Sequence, residues 1–199
     1  MAKFEVKNGV GIIPEGTIVI DGFAFEKCTG LKEIVIPSSV TKIGSYAFCE
    51  CTGLKEIDIP SSVTEIGKYA FSDCSSLKEI VIPSSVTKIG SHAFCECTGL
   101  GKIVVEKGNP KYDSREGCNA IIETETGKLI VVCKSTKIPV NNKVVKTRKW
   151  WLFGSKTTVY PKVTEIGKSV FSGCSSLTEI AIPSSVTEID PSAFSGCSS

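Results

Sequence analysis

The sequence predicts a right-handed solenoid of 23-residue coils, an α/β repeat that is β-rich with short helical turns. Three observations predict it. The segment from Leu31 to Gly53, LKEIVIPSSVTKIGSYAFCECTG, recurs from Leu54 to Ser76, from Leu77 to Gly99 and again from Leu177 to Ser199. The first and third copies differ only at Tyr46 against His92. One copy is too short to bury its own apolar face, so copies must stack on one another.

Each element of the repeat follows from its residues. In LKEIVIP the inward Leu31, Ile34 and Ile36 alternate with the outward Glu33 and Val35, the pattern of a short half-buried strand. Pro37 has no N–H and ends the ladder. Ser38 and Ser39 make a corner, after which Val40 and Ile43 point inward again. Gly44 and Ser45 lead into Ala47 and Phe48, read as one short helical turn. The last copy favours that reading, because Asp190-Pro191 is a helix-start pair. Cys51 returns inward and Thr52-Gly53 turns into the next strand. Stacking puts like residues in columns about 4.8 Å apart. Outside, Lys42, Glu65 and Lys88 alternate in sign.

The motif LxxIxIPxSVTxIGxxAFxxC resembles the BspA-like leucine-rich repeats of bacterial surface proteins, over nearly all of the chain. The resemblance implies a leucine-rich-repeat solenoid and a non-catalytic binding role at the cell surface or outside the cell.

Along the chain, residues 1–30 read as an N-terminal cap followed by a degenerate repeat. In that repeat Pro14, Ile20, Ala24, Phe25 and Cys28 lie 23 residues before their counterparts. Three regular repeats fill 31–99. Pro83 and Pro139 are 56 residues apart, so 100–139 reads as an enlarged repeat with a β-hairpin around Glu125-Thr126-Gly127. The stretch 140–162 reads as a divergent basic and aromatic coil, with Val145, Trp150 and Phe153 in the Ile43, Phe48 and Cys51 positions. Regular repeats return over 163–199, and the whole is one solenoid. The chain stops at a repeat boundary, which leaves end-to-end self-association open.

Composition narrows the function. A net charge of +2 argues for no general nucleic-acid or membrane partner, and no apolar run is long enough for membrane insertion. The first residues, MAKFEVKNGVG, lack the apolar core of a signal peptide. Of ten cysteines, Cys28, Cys51, Cys74, Cys97, Cys174 and Cys197 share one repeat position and read as a buried thiol column. Cys49 and Cys95 fall on the convex surface, and Cys118 with Cys133 is the one pairing that a hairpin register would allow. His92-x-x-Cys95-x-Cys97 lacks zinc-site spacing, and His92 replaces a tyrosine of its column. No nucleophile elbow, P-loop or dinucleotide fingerprint occurs, so no catalytic, metal or cofactor residues are assigned.

Two surfaces remain. The outward strand positions Glu33, Val35, Glu56, Asp58, Glu79 and Val81 form a face suited to a protein ligand, and the resemblance implies a host matrix protein or a protein on another cell as that ligand. The alternative is a nucleic-acid or anionic-membrane site on Lys143, Lys146, Arg148, Lys149 and Trp151, within the basic aromatic stretch 143–162.

Overall fold

The computed structural model describes residues 4–141, 143–148, 155–172, 174 and 180–197. It is a β-solenoid whose coils repeat every 23 residues. Each regular coil has two strand sides and one side made of turns. On the second strand side, Val19–Ile20, Lys42–Ile43, Glu65–Ile66 and Lys88–Ile89 form a four-stranded parallel sheet. Its outward column carries the predicted alternation, with Lys42 and Lys88 at 3.3 and 2.9 Å from the Glu65 carboxylate. On the first side, Val10–Ile12 pairs parallel to Glu33–Ile34, and Glu79–Ile82 to Lys102–Val105. The serine corners are tied from coil to coil: Ser39, Ser62 and Ser85 donate to the carbonyls of Thr17, Val40 and Val63 at 2.6–2.8 Å.

The turn side departs from the expected helical turn. Tyr46 and Glu50 both sit at φ 59°, and the same left-handed pair recurs at Tyr69 and Asp73 and at His92 and Glu96. Two left-handed residues interrupt any helix, so the segment hydrogen-bonds to its neighbours instead of to itself. Phe25, Phe48 and Phe71 donate their N–H to the carbonyls of Ala47, Ala70 and Ala93 at 2.7–2.8 Å. Asp190 does act as a cap: its carboxylate accepts from the Ser192 N–H and hydroxyl, but it closes a turn. The one helical segment among the described residues is a short 3₁₀ turn at Arg115–Gly117.

The core is columnar. Phe25, Phe48, Phe71 and Phe94 stack with ring centroids 5.2–5.3 Å apart, close to parallel. Phe4, from the antiparallel N-terminal hairpin Glu5–Lys7 and Val10–Ile12, extends the stack over Phe25 at 5.5 Å. Beside the rings runs the thiol column. Cys51, Cys74 and Cys97 are buried, and their Sγ atoms donate to the carbonyls of Phe25, Phe48 and Phe71 at 3.0–3.2 Å. Cys197 repeats this on Phe171, although it is half-buried, as are Cys28 and Cys174.

The enlarged repeat divides the core in two. Strands Tyr112–Asp113, Ala120–Glu123 and Lys128–Val132 form an antiparallel sheet whose last strand then pairs parallel to Glu165–Ile166. Ile121, Val131 and Cys133 face the first core, whereas Ala120, Ile122, Leu129 and Val132 face a second one containing Val163, Ile166 and Phe171. Cys118 belongs to the second core and Cys133 to the first, so the two thiols lie on opposite faces of this partition and both are free. A buried Asn109 closes the fourth coil with bonds to Pro83, Val86, Lys111 and Tyr112. Arg115 is buried against Asp113 and reaches the Pro161 carbonyl at 2.6 Å.

The expected divergent coil at 140–162 is corrected. Strands Lys143–Arg148 and Ser155–Tyr160 pair antiparallel with each other, six residues to six. The β-branched runs around Val144 and Thr157 satisfy their backbones locally, which a coil with two-residue strands would not allow. Lys128–Val132 meets Glu165–Ile166 directly, so the hairpin is an excursion between adjacent coils. The expected inward Trp150 and Phe153 lie outside the described residues.

Phe71→Ala removes a ring buried between two others and is expected to lower stability by about 3–5 kcal/mol, measured by urea unfolding. A second expectation concerns alkali. Burial pushes the Cys51 thiol up to about 12, and the Cys74 and Cys97 thiols are raised for the same reason. The unfolded chain releases these protons near pH 9.0, whereas the folded chain keeps them. Their stabilisation is therefore complete below that pH and declines as pH rises above it. Unfolding midpoints should fall from about pH 8 to 10, and a thiol reagent should spare these three in the native state.

Candidate functional site

The first strand side positions the predicted face. Because side chains alternate along a strand, Glu33 and Val35 point out wherever Ile34 and Ile36 point in. Glu33, Glu56 and Asp58 are exposed, as are Val35 at 75% and Val81 at 36%; Glu79 is half-buried. The coils that carry them are linked by backbone hydrogen bonds from Lys55 to Lys32 and from Lys78 to Lys55, at 3.4 and 3.2 Å. Glu79 is committed to Lys102 at 2.6 Å. Glu33, Glu56 and Asp58 have no ion pair among the described residues.

The register extends this face beyond the sequence reading. Val10 stands beside Glu33, which puts Ile12 beside Val35, and Val81 pairs with Val104. Ile12 is 42% exposed and Val104 is half-buried. An outward column of Ile12, Val35, Asp58, Val81 and Val104 results, apolar except at Asp58. Sequence reasoning missed Ile12 because its segment was read only as a cap, although 12 and 35 differ by one period.

Of the alternative basic site, the structure describes the backbone of Lys143, Lys146 and Arg148. Backbone register sets Lys143 opposite Tyr160, Lys146 opposite Thr157 and Arg148 opposite Ser155. Lys149 and Trp151 lie outside the described residues.

The turn side holds an aromatic ladder. Phe23, Tyr46, Tyr69 and His92 stack at 5.0, 4.8 and 4.6 Å. Cys49, expected at the convex surface, is instead buried, and Cys95 is half-buried. Burial raises both thiols, which keeps them protonated and poor nucleophiles. Among the described residues no three His, Cys, Asp or Glu side chains come together to hold a metal ion. The His92 imidazole is held below its usual pKa, first by burial and then by the Lys168 ammonium.

A family model described as the BspA type leucine rich repeat region matches six copies, over residues 10–115 and 132–199. The chain belongs to this family. Among proteins of curated function none matches. Solved structures similar to it include a leucine-rich repeat protein from Eubacterium ventriosum, at TM-score 0.63 and 24% identity over 88% of this chain and 48% of that one. A leucine-rich repeat protein from Bacteroides ovatus gives 0.51 and 29%, over 93% and 45%. The pneumococcal vaccine antigen PcpA gives 0.55 and 25%, over 78% and 40%. The chain thus spans less than half the length of these three. The BspA-type repeat is a scaffold of the kind used for protein interaction, and the likeness to these neighbours is a likeness of fold.

The depressed His92 pKa predicts an acid effect. The unfolded chain takes up this proton near pH 6.5, whereas the folded chain resists it. The His92 contribution is therefore complete above that pH and is lost as pH falls below it. His92→Tyr, the residue of the same column in two earlier coils, should remove that share of the acid destabilisation. The check is the difference between wild-type and variant unfolding midpoints between about pH 7 and 5.

Proposed function

We propose that the chain is a non-catalytic protein-binding scaffold of a bacterial surface protein, and that its partner docks on the first strand side. The observation that carries this is the outward column of exposed Ile12, Val35 and Val81 and half-buried Val104, beside the carboxylates of Glu33, Glu56 and Asp58, which have no ion pair among the described residues. Exposed apolar side chains in a row supply contact area, and the carboxylates favour a partner with a basic surface. The side chains stand on stacked, hydrogen-bonded coils, so docking orders little that is mobile. The likeness to PcpA, described as a vaccine antigen, supports a place at the cell surface. A protein of host matrix or of another cell is the partner class of this proposal.

The test immobilises the chain and measures binding of soluble matrix glycoproteins with basic surfaces. The variant changes Glu33, Glu56 and Asp58 together to Lys, all at exposed positions that leave the core untouched. Binding should weaken at least about tenfold, or about 1.4 kcal/mol, with the thermal midpoint unchanged. Unaltered binding by this variant would reject the face. Val35→Ser, which removes apolar area without adding charge, should weaken binding without altering the salt dependence, which separates the apolar from the charged contribution.

A further inference from the structure

The aromatic ladder ends in a cavity, and that cavity has the features of a ligand site. Phe23, Tyr46, Tyr69 and His92 follow one another at successive coils, with rings within 5–12° of parallel. Ser169 occupies the same repeat position further along, in the same left-handed conformation, at φ 53° against 53° for Tyr69. One coil lies between His92 and Ser169: the one whose Leu129 pairs with Ile166. That coil lacks the turn segment. After Leu129 it runs on as a strand through Val132, with Ile130 at the place where the other coils begin their turns. The solenoid is therefore one layer short on its turn side at this seam. No ring among the described residues stacks between Phe94 and Phe171.

The missing layer leaves a cavity of about 330 Å³ between the two halves, with a smaller one of about 40 Å³ behind it. His92, Ile130, Lys168 and Val170 line both. Small-molecule sites start at about 300 Å³. His92 forms one wall, and the Nδ1 of this ring is buried without a hydrogen-bond partner. The charges around the opening are not equivalent. Lys128 is paired with Glu165, and Glu123 is engaged by Lys111 at 4.0 Å and by the Thr126 hydroxyl at 2.7 Å. Lys168 is exposed and has no ion pair among the described residues.

We infer that this seam binds a small planar aromatic carboxylate, its ring stacked on His92 as the next rung of the ladder and its carboxylate on the Lys168 ammonium. Ile130 and Val170 provide apolar walls for the ring. An aliphatic anion would not use the His92 face, and a neutral ring would leave Lys168 without its partner.

His92 is the only histidine in the chain, so its imidazole proton signals report the site directly by NMR. Benzoate is the probe. The His92 signals should move upfield under the ring current and saturate, with a Kd of about 1 mM for so small a ligand. Lys168→Gln should weaken benzoate about threefold to fivefold, and replacing benzoate by benzyl alcohol should do the same. Ser169→Tyr should place a ring in the slot from the other side and abolish the benzoate response without lowering the thermal midpoint. The inference is overturned if no saturable shift occurs below about 20 mM, or if both variants titrate as the wild type does. It is also overturned if benzyl alcohol and benzoate bind equally well.

Discussion

Successive coils touch backbone to backbone at their glycines, in the most regular row at Gly44, Gly67 and Gly90, and the rest of the structure depends on that contact. A Cβ on Gly67 would lie 2.5 Å from the Ser45 nitrogen, and one on Gly90 would lie 2.4 Å from the Lys68 nitrogen. No side chain fits there, so the coils close to the spacing that backbone hydrogen bonds require. Gly67 and Gly90 donate to the carbonyls of Ile43 and Ile66, each at 2.8 Å. The same spacing puts phenylalanine rings 5.2 Å apart and brings each Cys Sγ to the phenylalanine carbonyl of the coil before. A substitution at Gly67 or Gly90 would force coils apart and loosen rings, thiols and serine corners together. Shape and backbone bonding hold the solenoid. Its exposed ion pairs add little, about 0–1 kcal/mol each.

Stacking also explains the conformation that the sequence reading missed. Left-handed geometry costs a non-glycine residue about 1–2 kcal/mol. Tyr46, Tyr69 and His92 adopt it nonetheless, and so do Glu50, Asp73 and Glu96. The offset comes from the neighbours: Tyr46 and Glu50 donate their N–H to Lys68 and Ser72 of the next coil at 2.9 and 2.8 Å. A single repeat read alone shows Gly-Ser and Asp-Pro and suggests a helix start. Only the stack makes the turn side cheaper as inter-coil hydrogen bonds than as a helix.

What was legible divides along the same line. Period, strand alternation and the inward columns are properties of one repeat, so Ile34, Phe48 and Cys51 could be placed from their spacing. So could the outward Glu33 and Val35. The hairpin at 143–160 was not legible, because counting from Pro139 to Pro161 gave almost one period. Strong β-propensity around Val144 and Thr157 mattered more than that count. The seam was hidden for a different reason. It arises because Leu129 aligns with Ile166 while the residues after it skip the turn segment, a relation between coils that no local pattern expresses.

The partition has a consequence for how the faces are used. Ile121 and Ile122 face different cores from adjacent positions, and the register shifts between them, so the strand Ala120–Glu123 serves both halves. The two cores therefore share a wall instead of stacking ring on ring, and the columns of the first half end there. The outward apolar column runs from Ile12 to Val104 and stops where the partition begins, while the aromatic ladder runs from Phe23 to His92 and stops at the seam. The enlarged repeat thus bounds the proposed docking face on one side and creates the cavity on another. A regular solenoid of the same length would have neither boundary. The irregular coil is the part of this chain that turns a periodic surface into a particular one.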